Sequence, residues 1–495
     1  MGILVVDCGS SSCRGTVYDT SQSVKVAETR VALPTISTSG SAAVVDIPRV
    51  WRTVCSVIQT LVETVPPAKI DVVGITSVFG YAFLGADGQP LIEATSWKDR
   101  RAAAHAAWFE RRLGRNEIHR VCGRRTSPDH LAPLLLYLRK SAPGLFQKIH
   151  TICGTKDALL QLLTGRVGTD YAHRDYSLLF EVGTGAPFED AWSLLAPLTP
   201  EVFAETAAAD AGAGTVCAEA ARATGLVQGT PVIRGSSDGT ASMYGAGVGQ
   251  KGMAVLVSGT SDVIMVGGDI RAKDPNAVLS INTAMDGGYL SGGATALSGG
   301  ALAATASLLR VPIEHVEEMV RSVPPGCEGL TVVPALAGER SPFWAPGAEG
   351  LVSGWNEGHT PGHFLRACME GATFRAAELL QRVREGGVSV RELRIGGGGS
   401  QSEVWNQMRA DMTALPTAMV SDPESTSRGM ALFGLAHLRG SLTTVLSDAA
   451  GTDRATSYSP SKQGVAAYRQ TRNRMASAFA LACARREQLS GSVGI

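Results

Sequence analysis

An α/β architecture built from two related domains is what this sequence predicts, on three observations. Short apolar runs ending in glycine-rich turns alternate with longer helical stretches. A strand–turn–strand pattern near the N-terminus recurs about half a chain later. The chain has 495 residues, more than one ordinary core holds.

The strand-like runs lie at 3–6, 72–75, 255–257, 330–333 and 393–395, and the helix-like stretches at 50–62, 157–163, 362–384 and 465–486. The helix near 362 has its boundaries written in the sequence. Thr360 is a cap residue, Pro361 suits a first turn, and Gly386-Gly387 ends the run. Between them Phe364, Cys368, Phe374, Leu379 and Val383 follow roughly one face. The recurring pattern is Val5-Val6-Asp7-Cys8-Gly9-Ser10-Ser11-Ser12 and Val255-Leu256-Val257-Ser258-Gly259-Thr260-Ser261. One such hairpin in each half predicts duplicated domains that face a shared cleft. Glycines cluster at 235–250, so the domains are set at 1–240 and 241–495.

Composition narrows the function classes. Hydrophobic residues make up 44% and charged residues 18%, a globular balance. Lys+Arg and Asp+Glu are equal at 45 each, so the basic footprint of a nucleic-acid binder is missing. No apolar run reaches the roughly 18–20 residues of a membrane span, and the N-terminus lacks the basic start of a signal peptide. A cytoplasmic location is the expectation. The nine cysteines are scattered and form no C-x-x-C pair, which argues against a disulfide framework or a zinc site. Cys8 and Cys13 flank the first turn and are the pair whose oxidation would matter.

Small turns of Gly, Ser and Thr offer backbone N–H groups and hydroxyls to phosphate oxygens. Taken singly, each reads as an ordinary polar hairpin turn. Asp7 ends a buried strand beside the first turn, and a carboxylate there requires a cation such as Mg²⁺ to screen a bound phosphate. Asp238 precedes a run of small residues and by itself reads as a helix cap. The stretch Ile395-Gly396-Gly397-Gly398-Gly399-Ser400 runs from a strand into a turn and then a helix at 403–412, where a ligand can lie against the backbone. Neither a Rossmann fingerprint nor a Walker loop is present.

Together and in order, these segments resemble the FGGY carbohydrate kinases, along nearly the whole chain. Asp7-Cys8-Gly9-Ser10-Ser11-Ser12-Cys13-Arg14 is similar to that family's first phosphate hairpin. Trp97-Lys98-Asp99-Arg100-Arg101 is similar to its W-x-D-x-R substrate segment, and Lys156-Asp157, Leu163-Thr164-Gly165 and Thr169-Asp170 to its K-D, L-T-G and T-D stretch. Gly235 to Asp238 matches the segment of the catalytic Asp, and Ser258-Gly259-Thr260-Ser261 the second hairpin. Residues 350–370 approximate the C-terminal signature, with Trp355 and Cys368 where aliphatic or small residues are usual. Gly397-Gly398-Gly399 with Trp405-Asn406-Gln407 is similar to the adenosine turn and helix.

The resemblance implies two RNase H-like domains of the actin/hexokinase type with an interdomain cleft. It implies ATP and Mg²⁺ as cofactors, with transfer of the γ-phosphoryl group to a hydroxyl of a small sugar-like acceptor. Asp238 is then the catalytic base and an acceptor contact, and Asp7 the metal residue. Gly9, Ser10, Ser11, Ser12, Arg14, Gly259, Thr260, Ser261, Gly300, Gly398, Gly399 and Asn406 hold the nucleotide. Trp97, Asp99, Arg101 and Phe79 line the acceptor side.

Acceptor identity is the weak link, because residues 77–83 carry neither the Met-His pair of xylulose kinases nor the Arg-Glu pair of glycerol kinases. His173-Arg174-Asp175 also replaces the usual small residues. Arg174 reads either as a carboxylate reader for the substrate or as a surface ion pair with Asp175 or a neighbour, with the surface ion pair favoured. A pentulose or related ketose is the first expectation and a sugar acid or polyol the second. A non-catalytic nucleotide- or sugar-binding regulator on the same scaffold is the rival class, and an ATP-driven chaperone or filament protein a third. Neither a nucleic acid nor a membrane is expected as partner. A homodimer fits the family, with no interface located.

Overall fold

The first apolar run becomes the strand Gly2–Cys8, and its neighbours show why it is apolar throughout. It pairs antiparallel with Ser12–Asp19 and parallel with Ile70–Ser77, so it lies inside a sheet covered on both faces. The computed structural model describes residues 2–20, 24–420, 424–452 and 456–490. They divide into two compact units. The first comprises Met1–Gly245, Asn282–Tyr289 and Glu424–Thr452, and the second Ala246–Ile281, Leu290–Pro423 and Asp453–Ile495.

In the first unit six strands are ordered Gly212–Thr215, Pro231–Ile233, Ile70–Ser77, Gly2–Cys8, Ser12–Asp19 and Lys25–Ala32. The helix Ile47–Thr64 covers one face. Its Asp46 cap accepts from the N–H of Arg49 at 3.0 Å, and Val50, Val54, Val57, Ile58 and Leu61 form its buried stripe. These side chains pack with Leu4, Val6, Val17 and Val73 of the sheet, each burial being worth roughly 2 kcal/mol.

The other face is covered by the helix Ser425–Arg439. It lies so close that a Cβ on Gly434 would stand 2.7 Å from Ile3, and one on Gly74 would stand 2.9 Å from Met430. A cut by chain position alone puts 424–452 in the C-terminal half; packing puts it in the first unit because its apolar face is what closes this sheet. A second apolar cluster of the same unit joins the strands Tyr81–Leu84 and Thr151–Gly154 to the helices Ala103–Leu113, Arg115–Cys122 and Leu131–Ser141.

The second unit repeats the plan. Its sheet is ordered Ser280–Thr283, Tyr289–Leu297, Ser261–Gly268, Met253–Ser258, Glu392–Gly396, Thr417–Met419 and Ser457–Tyr458. Met253–Ser258 pairs antiparallel with Ser261–Gly268 and parallel with Glu392–Gly396, as Gly2–Cys8 does with its own neighbours. The helix Pro361–Glu385 starts at the Thr360 cap, with Pro361 in its first turn. It is buried on more than the single face the spacing indicated, since Leu365, Met369, Ala372 and Ala376 are also inside. Its charges are paired within the core: Arg375 with Glu339 at 3.0 Å and Arg366 with Glu370 at 3.2 Å. No helix among the described residues is long and apolar enough to cross a membrane.

Candidate active site

The first unit gathers its candidate acidic residues at the carboxyl ends of its central strands. The turn at residues 9–12 is held from behind: Leu33 N–H donates to Ser11 O at 3.0 Å, Thr35 N–H to Ser10 O at 3.1 Å and Thr35 Oγ1 to Gly9 O at 2.6 Å. Its carbonyls are therefore occupied. No hydrogen bond of the described residues uses the N–H of Ser10 or Ser11, and both residues are exposed. Below the turn, the sulfurs of Cys8 and Cys13 meet at 3.5 Å inside the core. The Cys13 contact and burial hold the Cys8 thiol well above its ordinary pKa, so it stays a packed, protonated thiol. All nine cysteines are free.

Asp7 and Asp238 share this corner. Burial, then the charge of Asp238, push Asp7 up to about 7, while Arg14 and Arg30 pull the other way. Burial raises Asp238 to about 6 against the Gly239 N–H, which donates to its Oδ1 at 2.7 Å, and against His173. The Oδ1 of Asp7 has no hydrogen-bond partner. Both shifts are upward, so each folded-state carboxyl holds its proton more tightly than the unfolded chain does. Their contribution to stability is therefore greatest at low pH and is lost as pH rises through about 6 to 7. Two ionised carboxylates with an unpartnered oxygen fit a divalent cation.

Asp238 opens the helix Asp238–Gly245, which crosses Ser425–Arg439 at two glycines. A Cβ on Gly429 would stand 1.8 Å from the carbonyl oxygen of Ala241, and one on Gly245 would stand 1.9 Å from that of Ser425. The position of Asp238 thus depends on a backbone-to-backbone contact.

Behind Asp238 lies a sealed polar network. The ammonium of Lys156, fully buried, contacts Asp157, sits 3.0 Å from Asp170 and donates to Arg234 O at 3.0 Å. Asp170 also receives His173 Nδ1 at 2.7 Å, the Ala172 N–H at 2.8 Å and Ser236 Oγ at 3.0 Å. Asp157, Asp170 and His173 are a donor set of metal-binding type, but Lys156 already supplies the cation among them. This network fixes the His173 ring, which stacks on Phe79 at 4.6 Å and 11°. Phe79 in turn meets Tyr176 at 4.6 Å.

Several anticipated residues are committed to protein contacts. Asp99 is fully buried and holds Arg101 in a two-pronged pair, with Nε at 3.0 Å and Nη2 at 2.6 Å from Oδ2. The pair spends Asp99 on the fold, while Trp97 beside it is 43% exposed. Arg14 engages Glu424 and lies 3.9 Å from Glu28. Arg174 donates to Asp175 at 3.0 and 2.9 Å and to Thr283 Oγ1 at 2.7 Å. It is an internal ion pair that clamps Asn282–Tyr289, buried rather than on the surface.

The second unit supplies a second turn, braced in the same way. Ser298 and Gly300 N–H groups donate to Thr260 O at 2.8 and 3.1 Å, and Gly299 N–H to Gly259 O at 3.0 Å. A Cβ on Gly300 would stand 2.9 Å from Thr260, so this glycine serves by letting the next helix press against the turn. Gly259 and Thr260 are exposed. The glycine run packs on Ser258: Gly397 has φ +80°, and a Cβ on Gly399 would stand 2.2 Å from Ser258 Oγ. Gly398 faces open space.

Asn406 is fully buried; its amide donates to Ser400 O at 2.7 Å and its carbonyl accepts from Arg409 at 3.0 Å. It supports the turn from within, where the sequence placed it against the nucleotide. Arg409 escaped the sequence reading. It bridges Gly399 O at 2.9 Å, Asn406 and Ser258 Oγ at 2.7 Å, and burial brings its pKa down to about 10. An arginine on a helix gives no sign of such burial until its partners are known.

Comparison with known proteins agrees with this geometry. Residues 2–245 match the N-terminal domain and residues 254–438 the C-terminal domain of the FGGY family of carbohydrate kinases. The chain is 27% identical to the L-fuculokinase of Salmonella typhi, covering 87% of this chain and 91% of that one. It is 26% identical to the xylulose kinase of Bacillus subtilis, covering 87% of each. Among solved structures, the xylulose kinase of Lactobacillus acidophilus superposes with a TM-score of 0.89 at 23% identity over 99% of both chains. Plasmodium falciparum glycerol kinase with ADP does so with a TM-score of 0.87 at 18% identity over 98% of both. The chain belongs to the FGGY family of carbohydrate kinases and is a sugar kinase of the actin/hexokinase-like fold.

Proposed function

We propose that the chain uses Mg²⁺ and ATP to phosphorylate one hydroxyl of a small polyhydroxylated acceptor. The observation that carries this reading is the pair Asp7 and Asp238, whose crowded charges lie beneath a turn with unused N–H groups. In the first unit Asp7 places the metal, residues 9–12 meet phosphate oxygens, and Asp238 orients the acceptor hydroxyl and takes its proton. Phe79 and Trp97 offer rings to the acceptor. In the second unit residues 259–261 meet phosphate, and Gly398 and Gly399 meet the adenosine, with Asn406 and Gly300 supporting them. When bound, the metal neutralises phosphate charge. The protein's own work is to position the groups and exclude water.

The named substrates of the relatives support a pentulose or related ketose as acceptor. A second reading, a sugar acid, is favoured by one specific feature: Arg124, which is buried and lies 3.8 Å from the centre of the Tyr176 ring, next to Phe79. ADP release is the test, with ATP, Mg²⁺ and a panel of ketoses, polyols and aldonates. Release that depends on one acceptor class supports the reading, and equal release without any acceptor rejects it. The pH profile is a further check. Asp238 acts ionised, so kcat/KM should fall about tenfold per unit below pH 6 and level off above it. Bound Mg²⁺ moves the break lower, and a break well above pH 7 would remove Asp238 from the role.

A further inference from the structure

Arg124 is a buried cation without a counter-charge among the described residues. It follows the helix Arg115–Cys122 and is 3% exposed. Its guanidinium lies 3.8 Å from the centre of the Tyr176 ring. One nitrogen donates to the side-chain oxygen of Asn282, and its Nε has no acceptor. No carboxylate of the described residues forms an ion pair with it. Arg101, Arg174, Arg366 and Arg375 each rest on a carboxylate. Arg409 is also buried without a carboxylate, but three oxygens meet its guanidinium; Arg124 keeps a bare Nε, and a desolvated guanidinium left short of partners is costly.

The surroundings say which ligand. From Arg124 the rings run in a row: Tyr176, then Phe79 at 4.6 Å, then His173 at 4.6 Å. His173 shares Asp170 with Ser236, two residues before Asp238, at 2.7 and 3.0 Å. The row therefore joins an unpaired cation to the base that faces the acceptor hydroxyl. A short molecule lying along these rings would present a hydroxyl to Asp238 at one end and an anionic group to Arg124 at the other. Planar, two-pronged pairing is what a guanidinium offers a carboxylate.

We infer that Arg124 is a specificity-determining residue of the acceptor site and binds a carboxylate, which decides for the second reading above, a sugar acid, over the ketose that the relatives' names support. This rests on the assignment of Asp238 to the acceptor hydroxyl. Arg174, the other candidate reader, is spent on Asp175 and Thr283.

The test compares aldonates with alditols and ketoses of equal carbon number, in wild type, Arg124→Met and Arg124→Lys. Wild type should show a kcat/KM for the best aldonate about 100-fold above that of its neutral counterpart. Arg124→Met should bring that ratio close to one, mainly through KM, and Arg124→Lys should lie between. A wild-type preference for the neutral acceptor, or an unchanged ratio in Arg124→Met, overturns the inference. Should the variants fail to fold, thermal shift of the wild type decides. Stabilisation by the aldonate alone, with none by the matched alditol, supports it, and the reverse or no difference overturns it. Absence of turnover with every acceptor counts against the kinase reading, while the thermal shift still judges Arg124.

Discussion

Asp238→Asn should leave ATP and acceptor affinities near those of the wild type and lower kcat by about 10²- to 10⁴-fold, the span a positioned general base contributes. The substitution is nearly isosteric. The amide oxygen still accepts the Gly239 N–H that now binds Oδ1, so the start of the helix Asp238–Gly245 keeps its geometry. What disappears is the ability to take a proton. Charge disappears too, and with it the repulsion that adds to burial in lifting Asp7. The metal-free variant should therefore melt higher than the wild type at pH 8, where both carboxyls are ionised, and lose that advantage near pH 5. Calorimetric binding, steady-state kcat and melting curves check the three parts separately. Near-normal turnover would mean that another group accepts the proton.

Gly429→Ala should be the most damaging small substitution in the first unit. Its Cβ would stand 1.8 Å from the Ala241 carbonyl oxygen and 2.9 Å from the Gly245 nitrogen, both backbone atoms with no rotamer to change. The two helices must part or tilt. The cost is about 3 kcal/mol, at the upper end for overpacking, and the melting temperature should fall by about 10 °C. Because Asp238 is the first residue of the displaced helix, kcat should drop along with stability. Gly144→Ala is the control: a Cβ there meets nothing within 4 Å, and the effect should stay within about 0.5 kcal/mol. A Gly429→Ala protein that melts and turns over like the wild type would show that the helices have slack.

The sequence carried the elements and the turns, because both are local. Apolar runs at 3–6 and 255–257 could only be buried strands, and the Gly-Ser turns after them are chemical signals that need no partner to be read. What stayed hidden depends on distant partners. Nothing in 424–452 tells which sheet its apolar face will cover, and a glycine at 429 looks like any other until a second helix backbone lies against it. Asp99 and Arg101 were legible as a motif but not as a pair closed on itself. Asn406 was legible as polar, not as fully enclosed. Arg124 and Arg409 are the sharpest cases: exposure is the default for arginine, and only the fold reveals one set over Tyr176 and the other over Trp405.

The first unit draws its backbone from three separate stretches of the gene. A truncation after codon 245 would release a sheet whose Ile3 and Val72 lack the helix that shields them, and such a fragment should aggregate. Chimeras with relatives must transplant the late helix together with the early strands, or the recombinant will carry a lid cut for another protein's sheet.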